Sequence, residues 1–161
     1  MLRILENNIS SIDLSGRGGA EQKIIPLFDN PLERVNDPLF DVIDVDSGFT
    51  YEFKKQKDLQ WFDVGKYDNL TEDEKSIDMV FLCCNKAGKI DLIYKQSLGD
   101  FIDTTCSDPD LQNDGWTDAN LKAGATLKNL YKKMQFKVPL KTRKYYSKYA
   151  DRLQLIYSQD G

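Results

Sequence analysis

The chain has 161 residues, 40% hydrophobic and 30% charged, enough for one domain with a real core and too few for two ordinary ones. It carries a net charge of −4 and no histidine. That excludes Ser-His-Asp and Cys-His nucleophiles, histidine acid–base catalysis and His-ligated metals, so hydrolytic chemistry has to come from carboxylates, Lys, Tyr or a hard metal ion.

The opening Met1-Leu2-Arg3-Ile4-Leu5-Glu6 meets acid and amide residues too early for a signal peptide. No apolar run approaches the roughly 20 residues that span a bilayer. A cytosolic location follows as the expectation, in a bacterium or a phage-infected cell. Ser15-Gly16-Arg17-Gly18-Gly19 reads as a flexible loop. A helix follows from about Ala20, with Ile24, Ile25, Leu27 and Phe28 as its apolar face, shortened by Pro26 and Pro31. A further helical turn is expected through Leu32 to Val35. Leu39–Val45 is β-branched and reads as a strand, Asp46-Ser47-Gly48 as a turn, and Phe49–Lys54 as the returning strand. Leu59–Tyr67 reads as helical, although Gly65 weakens it.

Ile77–Cys84 has the pattern of a central buried strand, turned at Asn85-Lys86-Ala87-Gly88 and returned by Ile90–Tyr94. Cys83 and Cys84 are adjacent and Cys106 stands alone; with no CxxC pair, buried reduced thiols are expected rather than zinc ligands. Ser97 can cap a short helix through Phe101-Ile102. A longer helix is expected from Asp118 to Met134, stopped by Val138-Pro139, then a basic helix over Thr142–Tyr149 and a strand over Leu153–Tyr157. The expected fold is an α/β (α+β) sandwich around a mixed sheet, one domain spanning residues 1–161.

Charge is unevenly spread. Residues 1–121 carry 12 basic against 24 acidic residues, whereas residues 122–152 carry ten basic residues and one acid, Asp151. Such a segment suits a polyanion. Lys132, Lys133, Lys141, Arg143, Lys144 and Lys148 are the expected DNA contacts, with the tyrosines between them more often core than stacking platforms. Gln60 and Trp61 are candidates to line a cleft, Trp61 equally a core residue.

Three (D/E)-x-K triplets occur: Glu21-x-Lys23, Glu52-x-Lys54 and Asp73-x-Lys75. The first lies in a helix, where residues two apart diverge, and the third in what reads as a loop, Thr71–Lys75. Glu52 and Lys54 share a strand face, while Tyr51 and Phe53 point the other way into a core. A two-residue Ser47-Gly48 turn would set Ile43 opposite Glu52 and Asp41 opposite Lys54; a loop one residue longer would bring Asp44 to that face instead. Two carboxylates so placed call for a cation, and hard oxygens suit Mg²⁺. A solvated surface salt bridge between Asp41 and Lys54 would use the same residues.

Asp41-x-x-Asp44-x-x-x-Gly48-x-x-Tyr51-Glu52-Phe53-Lys54 resembles the active-site hairpin of the PD-(D/E)xK nuclease superfamily, closest to small Type II restriction endonucleases, with homing endonucleases of that superfamily also similar. The likeness covers about residues 16–102. The leading Pro is absent: Phe40 precedes Asp41 and Pro38 lies three residues before it. The resemblance implies a restriction-endonuclease-like sheet and Mg²⁺, with Mn²⁺ able to substitute. Asp41, Glu52 and the main chain of Phe53 would bind the metal, Lys54 would position the attacking water, and Glu21 would assist. The implied activity is sequence-specific cleavage of double-stranded DNA by a homodimer or higher symmetric assembly, with residues 118–152 contacting DNA. Restriction, homing and junction-resolving roles stay open. From another class, the acidic balance of residues 1–121 suits a non-catalytic DNA mimic.

Overall fold

The computed structural model describes residues 1–14, 20–56, 59–130 and 137–160, with the main chain only for 20, 21, 56 and 127–130. In chain order the helices are α1 (Glu6–Ile9), α2 (Ala20–Ile24), α3 (Glu72–Lys75), α4 (Leu98–Ser107), α5 (Pro109–Asn113), α6 (Asp118–Leu130) and α7 (Thr142–Tyr149). The strands are β1 (Leu32–Arg34), β2 (Val42–Asp44), β3 (Thr50–Gln56), β4 (Leu59–Asp63), β5 (Asp78–Cys84), β6 (Ile90–Ser97), β7 (Lys137–Lys141) and β8 (Gln154–Ser158). Single 3₁₀ turns at Ile25–Leu27, Val64–Tyr67 and Ala150–Arg152 complete them.

Six strands form one mixed sheet in the order β1-β2-β3-β5-β6-β8; β4 and β7 form a separate ribbon. Within the large sheet β3 and β5 run parallel and the other neighbours antiparallel. A parallel pair needs a crossover, and β4, the turn at Val64–Tyr67 and α3 fill it. β5 is central and buried on both faces, so Met79 to Cys84 form an unbroken apolar run rather than an alternation.

The two sheet faces carry separate cores. Tyr51, Phe53, Val80 and Leu82 pack with Ile24, Leu27 and Phe28 on one side. Met79, Phe81 and Tyr94 pack with Phe62, Phe101 and Trp116 on the other. Burial of the larger of these side chains stabilises the fold by about 2 kcal/mol each. The expectation that Tyr51 and Phe53 enter a core opposite Glu52 and Lys54 holds. The fold is α+β, with helices flanking a mostly antiparallel sheet.

Four local expectations fail, three of them to a longer-range contact. Leu32–Arg34 is a strand because it pairs with β2, Leu32 opposite Asp44, and so extends the sheet. Leu59–Tyr67 is not a helix: Leu59–Asp63 pairs with β7, Phe62 buried and Trp61 turned outward. Val138-Pro139 lies within β7, where Pro139 costs no ladder bond a neighbouring strand requires. The buried Trp116 donates its Nε1–H to the Pro139 carbonyl at 2.8 Å and fixes that strand. Thr71–Lys75 contains the helical turn α3, closed by a capping box in which Thr71 and Glu74 exchange bonds. Ser97 caps α4 through the Asp100 N–H as expected, but α4 runs on to Ser107.

Candidate active site on the β2–β3 hairpin

β3 places Glu52 and Lys54 on one face by the period-two alternation of a strand, opposite Met79 and Phe81 of β5. Lys54 Nζ lies 3.0 Å from Glu52 Oε1 and 5.5 Å from the centre of the Phe62 ring. Both side chains are largely covered, 16% and 11% exposed. The pair is therefore a shielded contact, not the solvated Asp41–Lys54 bridge.

The hairpin register differs from the two-residue turn. Val42 faces Tyr51 and Ile43 faces Thr50. The Asp44 N–H donates to the Phe49 carbonyl at 2.9 Å and the Gly48 N–H to the Asp44 carbonyl at 2.7 Å, so four residues, Val45 to Gly48, make the turn. Gly48 takes φ of +79° there, which few side chains tolerate. The ladder is displaced by two positions, and an even displacement preserves the face of every side chain. Asp41 lies in a bend outside β2, so alternation does not place it; its own bonds to β3 keep it near Glu52, and it does not oppose Lys54.

Asp41 sits just before the start of β2. Its N–H donates to the Tyr51 carbonyl, and its Oδ2 accepts the Phe53 N–H, both at 3.0 Å. The carboxylate thus takes the place of a strand partner that β2 does not supply. Phe53's carbonyl projects from the same edge of β3 as its N–H, beside Asp41. Asp44 points away. It is buried against Asn30, whose Nδ2–H donates to it at 2.9 Å, and it accepts the N–H groups of Asp46 and Ser47. The Asn30 bond in particular holds its pKa below the ordinary value. Asp44 is a turn-forming residue.

Burial pushes the Glu52 carboxyl up to about 7, and the neighbouring Asp41 charge adds to this, while Lys54 and Lys66 pull the other way. Tyr67 is raised by burial and by the charges of Glu52, Asp63 and Asp41. Asp63, Lys66 and Tyr67 are neighbours that no (D/E)-x-K motif reveals; they arrive with the 3₁₀ turn at Val64–Tyr67. A Cβ on Gly65 would lie 2.9 Å from the Gly124 main chain, so this turn packs against α6 only because Gly65 has no side chain. That close approach was the one sequence signal available, since Gly65 is anomalous in a helix.

The chain matches no protein-family model and no curated protein.

The remaining expected site residues fall in three groups. Glu21 lies in α2, but its side chain is outside the described residues, as are Lys132 and Lys133. Arg143 donates to the Cys84 carbonyl at 2.9 Å and pairs with Asp91 at 2.9 Å, pinning α7 to the sheet. Lys148 pairs with Asp108 at 2.8 Å and Asp110 at 3.1 Å, and the Asp108 bond above all raises its pKa. Lys141 and Lys144 are exposed and make no ion pair among the described residues. Among those residues no three His, Cys, Asp or Glu side chains are grouped to hold a metal. Asp41 and Glu52 with the Phe53 carbonyl make a smaller, all-oxygen donor set. No helix among the described residues is long and apolar enough to cross a membrane. All three cysteines are free thiols, Cys83 and Cys84 buried.

Proposed function

We propose that the chain is a Mg²⁺-dependent DNA endonuclease of PD-(D/E)xK type, acting as a homodimer or higher symmetric assembly. The observation that carries this reading is the convergence of Asp41, Glu52 and Lys54, with Glu52 left short of compensating charge and titrating near 7. A hard cation against the two carboxylates would remove that deficit. Mg²⁺ needs one or two carboxylates and keeps waters for the rest, so two acids and the Phe53 carbonyl form an adequate set. When bound, the ion would neutralise charge on a phosphate and acidify a coordinated water. Asp41 and Glu52 would hold it, and Lys54, freed from Glu52, would orient the attacking water and stabilise the same charge. The mixed sheet bearing this hairpin, and the exposed Lys141 and Lys144, are in keeping with the reading. Restriction, homing and junction resolution are chemically equivalent at this site.

One observation favours a second reading, a non-catalytic acidic protein that mimics DNA: the Glu52–Lys54 pair is closed and mostly covered. The two readings part on metal binding and cleavage. Nuclease chemistry requires Mg²⁺ or Mn²⁺ to nick supercoiled plasmid and to release roughly three-quarters of a proton per site at pH 6.5, as the ion displaces the Glu52 proton. A folded protein that releases no protons and leaves plasmid intact with every divalent ion supports the mimic.

A further inference from the structure

A second site lies across the ribbon from the Glu52 face. Phe62 of β4 points inward toward Lys54, so its neighbour Trp61 points outward, and there it is 52% exposed. Trp61 and Leu59 form one wall of a pocket of about 510 Å³, faced by Leu111 of α5 and Tyr149 of α7. That volume lies within the range that binds small organic groups. An indole left half open beside Leu59, 44% exposed, forms an apolar aromatic surface that the fold does not use.

The rim of the pocket supplies charge. Lys141 and Lys144 stand on it and form no ion pair among the described residues, whereas Lys148 is engaged by Asp108 and Asp110. An apolar slot with an exposed indole and two uncommitted ammonium groups has the chemistry of a base-stacking platform beside a phosphate track. Asp110 and Asp114 also line the pocket, and although their charge acts against any anion, a carboxylate side chain of an acidic peptide has no donor to offer them. Exocyclic amines of a base, by contrast, can donate to those acids.

We propose that this pocket takes one unstacked nucleotide of single-stranded DNA, its base against Trp61 and its phosphates at Lys141 and Lys144. The inference deepens the nuclease reading by naming the form of DNA, a strand with an unpaired stretch beside the cleaved bond, yet its test needs no cleavage.

Trp116 is fully buried and bonded, so tryptophan fluorescence that responds to added ligand reports Trp61. With metal chelated, a roughly twelve-nucleotide oligothymidylate is expected to quench that signal saturably, and a duplex of the same length to do so much less. By anisotropy of a labelled strand, Trp61→Ala weakens binding about tenfold, and Trp61→Phe restores most of it. Lys141→Ala with Lys144→Ala weakens it further and lowers the slope of log K against log salt by about 1.4. Equal quenching by duplex, saturable quenching by a poly-glutamate peptide instead, or no quenching by the single strand overturns the proposal. If plasmid nicking persists in that last case, the nuclease reading survives without it.

Discussion

Two buried carboxylates, each paired with a lysine, behave in opposite ways. Glu52 on β3 is opposed by the charges of Lys54 and Lys66 and has a neighbouring acid, Asp41; burial wins and its carboxyl rises to about 7. Asp108 at the start of α5 is also covered from solvent, though less densely packed around. Against that burial, hydrogen bonds from Lys148, the Tyr149 hydroxyl and the Asp110 N–H hold it down at about 2. The balance of desolvation against donors decides the outcome, not the presence of a salt bridge. Asp108 is locked as an anion that ties α5 to α7, while Glu52, on the proposed reading, would exchange a proton for a metal ion.

The largest effect expected from this contrast is catalytic. Glu52→Ala and Lys54→Ala should each lower Mg²⁺-dependent plasmid nicking by at least about a hundredfold, measured on protein whose circular dichroism matches wild type. Nicking retained in both variants breaks the contrast at its functional end.

The next is a pH effect of opposite sign at the two sites. Glu52 binds its proton more tightly folded than unfolded. Its stabilising contribution is full below about pH 4.5, declines as pH rises, and is gone above about 7. The change is on the order of 3 kcal/mol. Urea denaturation from pH 5 to 8 in metal-free buffer should show this loss, and Glu52→Gln should flatten it. Asp108, depressed from 3.8 to about 2, contributes stability above pH 3.8 that is lost as pH falls toward 2. Asp108→Asn should cost about 2 kcal/mol at pH 7 by leaving the Lys148 and Tyr149 donors poorly matched, read from the denaturation midpoint. An unchanged midpoint would mean that this clamp does not hold the helices together.

The smallest expected effect sharpens the comparison within one strand. Asp44→Ala should lower the melting temperature by about 5 °C, through loss of the Asn30 and turn bonds, with nicking by the folded protein retained. Asp41→Asn should do the reverse, abolishing nicking with little change in melting temperature. Calorimetry and nicking assays on both variants separate the roles; exchanged outcomes would assign the metal to Asp44.

Much of the hairpin was legible because alternation is local. Glu52 and Lys54 share a face in any strand, and Tyr51 and Phe53 must take the other. The turn is two residues longer than its sequence suggests, yet Asp41 stays with the site because its N–H and its carboxylate bond directly to β3. β5 and β6 were legible from their apolar runs, and α7 from its spacing.

What the sequence by itself determined was the absence of histidine chemistry, the face shared by Glu52 and Lys54, and the concentration of positive charge near the C-terminus. Only the tertiary structure decided that Leu59–Asp63 is a strand, because its partner Lys137–Lys141 lies far along the chain and the pairing outweighs a local helical pattern. It also decided which basic side chains remain available, since Arg143 is committed to Asp91 and Lys148 to Asp108 and Asp110. And it set the Glu52 proton, because desolvation depends on every element packed around a carboxyl and no stretch of sequence records that sum.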